Sequence, residues 1–70
     1  MKLDFILRDS EFIELNNVLK VTGLCESGGR ANRLITAGQV KVDGKVELRK
    51  RRKIRKGQNI ELSGTMITVK

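Results

Sequence analysis

The apolar residues change their period at Gly38, and that change sets the fold class. Upstream, Phe12, Leu15, Val18, Leu19 and Thr22 recur at helical spacing, and Ala31, Leu34 and Ile35 make a second, narrower stripe. Downstream, Val40, Val42, Val46 and Leu48 flank Asp43–Gly44, and residues 58–62 and 65–69 alternate around Ser63–Gly64. Alternation broken by Gly-containing pairs reads as hairpins. Residues 1–7 add a short strand through Leu3, Phe5 and Leu7. The expected architecture is α+β: two packed helices against a small antiparallel sheet, with added N- and C-terminal strands. Seventy residues make one domain, residues 1–70, with no room for separate catalytic and cofactor units.

Boundary signals refine this. Asp9 or Ser10 offers an N-cap, Glu11 and Glu14 suit the positive end of a helix dipole, and Gly23 suits the exit, so the first helix is expected over residues 11–22. Ser27 caps the second helix and Gly38 stops it. In the hairpin around Asp43–Gly44, a two-residue loop would set Val42 opposite Lys45 and mix valine with charge on one face. An odd-length loop keeps Val40, Val42, Val46 and Leu48 together and sends Lys41, Lys45, Glu47 and Arg49 to solvent. The odd loop is the expectation. Lys56–Gly57 turns the chain after Ile54.

Charge is concentrated. Of a net +7, residues 27–56 carry eleven basic and two acidic side chains, while residues 1–26 are slightly acidic. Arg49, Lys50, Arg51, Arg52 and Lys53 are consecutive, with Arg55 and Lys56 close behind. A solvated loop could hold such a run, but the neutrality of the rest of the chain favours a surface for an anionic partner. Three features converge on a phosphate. Ser27, Gly28 and Gly29 open a helix whose free amides and dipole attract anions. Arg30 and Arg33 extend positive charge along one face of that helix. Lys41, Lys45 and residues 49–53 follow in the next hairpin.

From Ile13 to Leu62 these residues resemble the RNA-binding domain named after ribosomal small-subunit protein four, whose core is the αL motif. The family pattern is a helix ending in Gly, here Leu15, Leu19 and Gly23. A Ser-led helix follows, here Ser27, Ala31, Leu34 and Ile35. Then come Gly38, Val40, Val42, Asp43, Gly44 and Lys45, and finally Ile54, Gly57 and Ile60, all without a gap. The short chain is similar to the small stand-alone bacterial members of the YbcJ-like kind. Two positions depart from the pattern. Gly28 stands where many members carry Arg, leaving one expected phosphate contact without its side chain, and Gln58 stands where many carry Asp. The resemblance implies binding of structured RNA, ribosomal or transfer RNA, with ribosome association or a role in translation. The second helix's start and the basic hairpin would face that RNA. Phe5 and Phe12 are the only aromatics and both suit the core, so no stacking platform for single strands is expected.

The composition narrows the chemistry. There is no His, Trp, Tyr or Pro, and one Cys. His-based acid–base catalysis, a Cys-rich zinc site and an internal disulfide are excluded. Cys25 lacks a His partner, Asp43 reads as a turn residue rather than half of a carboxylate pair, and no catalytic residue, metal or cofactor is expected. Short apolar runs and the absence of a signal-peptide pattern in residues 1–8 point to a cytoplasmic protein that does not enter membranes, expected as a monomer. Three readings of the charge remain beside RNA: duplex DNA, for which no recognition-helix pattern stands out; an acidic protein or ribosomal surface, to which the chain would dock as an adaptor; and, more weakly, anionic lipid.

Overall fold

The hydrophobic period does switch where expected, but the two halves are stitched together more tightly than a helix pair laid on a sheet. The computed structural model describes residues 1–70. Its elements run β1 (Lys2–Phe5), β2 (Ile13–Glu14), α1 (Leu15–Val21), α2 (Gly28–Thr36), β3 (Val40–Val42), β4 (Lys45–Val46), β5 (Lys53–Ile54), β6 (Asn59–Leu62) and β7 (Thr65–Val69). Five strands form one sheet in the order β1-β7-β6-β3-β4, and β2 pairs with β5 in a separate two-stranded ribbon.

The sheet is mostly antiparallel. The exception is β1, which runs parallel to β7, with Leu3 beside Ile67 and Phe5 beside Val69. Both expected terminal strands are present: β1 forms one edge of the sheet, whereas the C-terminal β6 and β7 lie inside it. Val40, Val42, Ile60, Leu62, Ile67 and Val69 line its inner face, and Leu15, Val18, Leu19, Ala31 and Ile35 of the helices meet them in one buried cluster. Ten side chains in this core are wholly inaccessible, nine of them large aliphatics and the tenth Ala31. Each large aliphatic one contributes on the order of 2 kcal/mol by leaving water.

Helix α1 begins at Leu15, later than the cap residues Asp9 and Ser10 suggest, and its actual N-cap, Glu14, makes no side-chain capping bond. The physical reason is competition. Ile13 and Glu14 pair with Ile54 and Lys53 as an antiparallel ribbon, which fixes them as extended chain. The open end of the helix is then satisfied by distant backbone: the Leu15 amide donates to the Arg52 carbonyl at 2.8 Å and the Asn16 amide to that of Lys50 at 3.0 Å. Phe12, outside the helix, lies under Lys53, whose Nζ is 4.9 Å from the ring centre.

Helix α2 follows its sequence signals. The Arg30 amide donates to Ser27 Oγ at 3.1 Å. At the other end Gly38, with φ of 78°, lets the Gln39 amide reach back to Leu34 O and its own amide to Ile35 O, the glycine-dependent helix stop. Ser27→Ala should cost about 1 kcal/mol. A thermal melt of this variant should shift down by about 5 °C; an unchanged melting curve would mean that the cap is not holding the helix.

The first hairpin overturns the odd-loop expectation. Asp43 and Gly44 both have positive φ, 51° and 84°, and Val42 pairs with Lys45 and Lys41 with Val46 across a two-residue loop. This primed turn matches the strand twist and, once fastened by its neighbours, prevails over hydrophobic parity. Asp43 is held in it from outside: its carboxylate accepts the Asn59 amide at 2.9 Å and the Gln58 side-chain amide at 3.0 Å. Those bonds, the Asn59 amide foremost, lower the Asp43 pKa. The cost of the register is visible. Val46 and Leu48 are exposed, and Glu47, expected in solvent, is buried at 8% exposure.

Candidate nucleic-acid interface

Glu47 is the residue that organises the cationic stretch. Its carboxylate accepts from the Arg49 amide and Arg49 Nε, both at 3.0 Å, from an Arg49 terminal nitrogen at 3.1 Å, and from an Arg52 terminal nitrogen at 2.8 Å. These bonds, the Arg49 side chain first, bring its pKa down to about 2. A buried carboxylate with four donors is well satisfied, and it clamps two guanidinium groups that would otherwise repel one another.

A second fixation comes from α1. Its first two amides, those of Leu15 and Asn16, hold the carbonyls of Arg52 and Lys50, so these donors are not free for an anion and the backbone of the cationic turn is fixed on the helix end. Arg51 Nε donates to Glu14 Oε2 at 3.0 Å, an exposed pair worth little by itself. Arg49, Arg51, Arg52 and Lys53 line an open cleft of about 600 Å³. Residues 49–52 thus form an anchored turn that leads into β5 at Lys53.

One residue, Glu14, links this cleft to the start of α2. Glu14, which holds Arg51, also lines a smaller depression of about 190 Å³ with Asn16, Asn17, Lys20 and Gly28. The helices are joined there by a bond from Asn16 Nδ2 to Asn32 Oδ1 at 2.9 Å. Ser27 takes the Arg30 amide and leaves those of Gly28 and Gly29 for another acceptor. Arg30 and Arg33 are exposed and without an ion-pair partner.

The structure sorts the twelve residues singled out in the sequence. Ser27, Gly28, Gly29 and Arg30 belong to the start of α2, Arg33 lies one turn on, and Arg49, Lys50, Arg51, Arg52 and Lys53 belong to the neighbouring turn. Lys45 is at the sheet edge and shares a depression with Arg52. Lys41 is the outlier. Its neighbours Val40 and Val42 point into the core, so it occupies the other sheet face, opposite Glu61. Of the two arginines on Glu47, Arg52 is the less accessible, with its side chain 33% exposed against 70% for Arg49. Glu14, Asn16, Asn17, Lys20 and Glu47 were not apparent in the sequence as parts of this region; the one available signal was an acidic residue two positions before an arginine run.

Cys25 is buried. Burial pushes its thiol pKa up, with Arg30 pulling weakly the other way. The nearby helix start therefore does not create a reactive thiolate. No helix is long and apolar enough to cross a membrane.

Comparison with known proteins places this arrangement. The family model described as S4 domain matches residues 5–70. YbcJ of Escherichia coli (strain K12) is 46% identical over 65 residues, covering 93% of each chain, and a protein of the same name from Shigella flexneri matches equally. The solution structure of E. coli YbcJ, described as revealing an αL motif involved in RNA-binding, superposes with a TM-score of 0.73 at 45% identity, covering 94% of this chain and 84% of that one. With two helices on a mostly antiparallel sheet, the Ser27-led second helix and the Asp43–Gly44 hairpin in the expected order, the chain belongs to the S4 domain family.

Proposed function

We propose that residues 1–70 act as one non-catalytic RNA-binding domain that recognises structured RNA, ribosomal or transfer RNA, by its phosphates. The observation that supports this reading is the docking of the Lys50 and Arg52 carbonyls on the first turn of α1, which fixes the cationic turn at the helix end whose Glu14 also borders Gly28 at the start of α2. Ser27, Gly28, Gly29, Arg30, Arg33, Lys45 and residues 49–53 supply the contacts. Lys41, on the far sheet face, contributes only to the general field. The RNA-binding described for the αL motif of YbcJ supports the same reading. The domain works as a cytoplasmic monomer in association with the ribosome or its RNA.

Four to six phosphate contacts give a log–log salt slope of roughly −3 to −5. The deciding experiment is competition at equal salt between a ribosomal hairpin RNA, duplex DNA of the same sequence and single-stranded RNA. The hairpin RNA should win. Equal binding of DNA would replace RNA recognition with general polyanion binding. Partners captured after nuclease treatment would favour an adaptor that docks on acidic protein.

The glycines at the start of α2 provide a separate check. A Cβ at Gly28 would meet nothing within 4 Å, and one at Gly29 only Ser27 Oγ at 3.9 Å. Nothing inside the protein requires glycine there. Changing both to Ala should leave the fold intact and stabilise it by up to ~1 kcal/mol in total. RNA affinity should nevertheless fall by about tenfold, because two Cβ atoms hold a phosphate off the backbone. Retained affinity would mean that RNA does not approach the backbone at this point.

A further inference from the structure

A carboxylate in the middle of a phosphate-binding surface needs an explanation. Glu14 stands between the cationic cleft, through Arg51, and the start of α2, through the depression it shares with Gly28. Its neighbours there are Asn16, Asn17 and Lys20. Arg51 occupies Glu14 Oε2 and leaves Oε1 without a partner. Asn16 spends its amide nitrogen on Asn32 and so presents its carbonyl oxygen as an acceptor. Asn17 is exposed, with both amide functions unused. The depression has no hydrophobic residue in its lining. It is rich in acceptors, with cations on both sides.

The lining thus sets one cation, Lys20, beside an acceptor cluster whose carboxylate repels phosphate. The groups of RNA that suit it are hydrogen-bond donors lying between two phosphate rows. In an A-form helix these occur in the wide, shallow minor groove, as ribose 2′-hydroxyls and the guanine 2-amino group. Building on the RNA-binding reading above, we propose that Glu14, Asn16 and Asn17 read minor-groove donors of an RNA helix while residues 49–53 and the start of α2 hold the phosphates on either side. The carboxylate then does more than pair with Arg51: by accepting from a 2′-hydroxyl it separates RNA from DNA, and by accepting from a guanine amino group it reads sequence.

The test uses the full chain and a stable hairpin RNA in four forms: unmodified, 2′-deoxy in the stem, 2′-fluoro in the stem, and inosine for guanine in the stem. Wild type should bind the unmodified hairpin about tenfold more tightly than at least one modified form, the loss expected for a donor to a charged acceptor. Loss with the 2′-modified stems assigns the hydroxyls, and loss with inosine assigns the guanine amino group. In Glu14→Ala/Asn17→Ala that discrimination should fall to twofold or less, while affinity for the 2′-deoxy hairpin stays level or rises as Arg51 is freed. Circular dichroism checks that the variant is folded. Equal binding of all four forms by wild type, with steep salt dependence intact, overturns this inference and leaves phosphate recognition standing. Discrimination that survives in the double variant also overturns it. Absence of binding to every form overturns the RNA-binding reading itself.

Discussion

Replacing Arg30, Arg33, Lys50 and Arg51 by Gln should weaken binding of a structured RNA by more than about a hundredfold near 0.1 M salt and flatten the log–log salt slope by about 3. All four side chains are exposed. Only Arg51 is ion-paired, to a partly exposed Glu14. Surface changes of this kind typically alter stability by less than about 0.5 kcal/mol each, so the melting temperature should barely move. Arg49 and Arg52 are left in place because Glu47 uses them structurally, and removing them would confuse loss of contact with loss of fold. The control is Lys2→Gln/Lys41→Gln. Lys2 aligns with Met66 on β7, which pairs with Glu61, so both lysines share the outer sheet face. If the proposed surface is right, these two changes should cost less than about threefold. An equal loss per charge at both places would mean that net charge, rather than a placed surface, drives binding.

Glu47→Gln should lower stability by about 1.5 kcal/mol. For a domain of this size that is a fall of about 10 °C in melting temperature. Gln keeps the volume but cannot accept from the Arg49 amide, both sets of Arg49 nitrogens and Arg52 at once. Much of the Arg49 pairing is screened by water, since its side chain is 70% exposed, so the expected loss rests on the Arg49 amide and the less exposed Arg52. The pH dependence has a definite sign. The carboxyl sits at about 2 in the folded protein against 4.5 unperturbed. Its contribution is therefore complete above about pH 4.5 and is lost as pH falls toward 2. The two melting curves should differ at pH 6 and converge near pH 2; a constant offset would assign the destabilisation to something other than the charge. At a temperature where both proteins are folded, the variant should bind RNA no more tightly than wild type despite one more unit of positive charge. Tighter binding would show that Glu47 merely neutralises the cleft.

These two residues sets differ in how readily they could be read from sequence. The cationic residues were legible because their charge is local and one-signed, and the second helix because Ser27 and Gly38 bracket it with unambiguous chemistry. The late hairpin was legible because Ser63–Gly64 separates two clean alternations. The clamp was not. Asp43–Gly44 favours a two-residue loop, whereas hydrophobic parity favours an odd one, and two local signals of opposite sign cannot be ranked without the neighbours. The tie is broken by Asn59 and Gln58, which fasten Asp43, and by Arg49 and Arg52, which make burial of Glu47 tolerable. The start of α1 was misplaced for a related reason. Glu11 and Glu14 suit a helix start locally, but the pairing of Ile13 with Ile54 lies forty-one positions away and outweighs them. The depression around Glu14 and Asn17 depends on that same long-range ribbon, so no local pattern announces it.

RNA binding of the proposed kind requires α2's first turn and the anchored arginine turn to act as one surface. Titrating isotope-labelled protein with a ribosomal hairpin RNA and following backbone amide shifts tests this most directly. The amides of Gly28, Gly29 and Arg30 and those of Lys50, Arg51 and Lys53 should move together along a single binding curve, with those of Lys2, Lys41 and Met66 still. Movement of only one of the two segments, or separate curves for each, would contradict it.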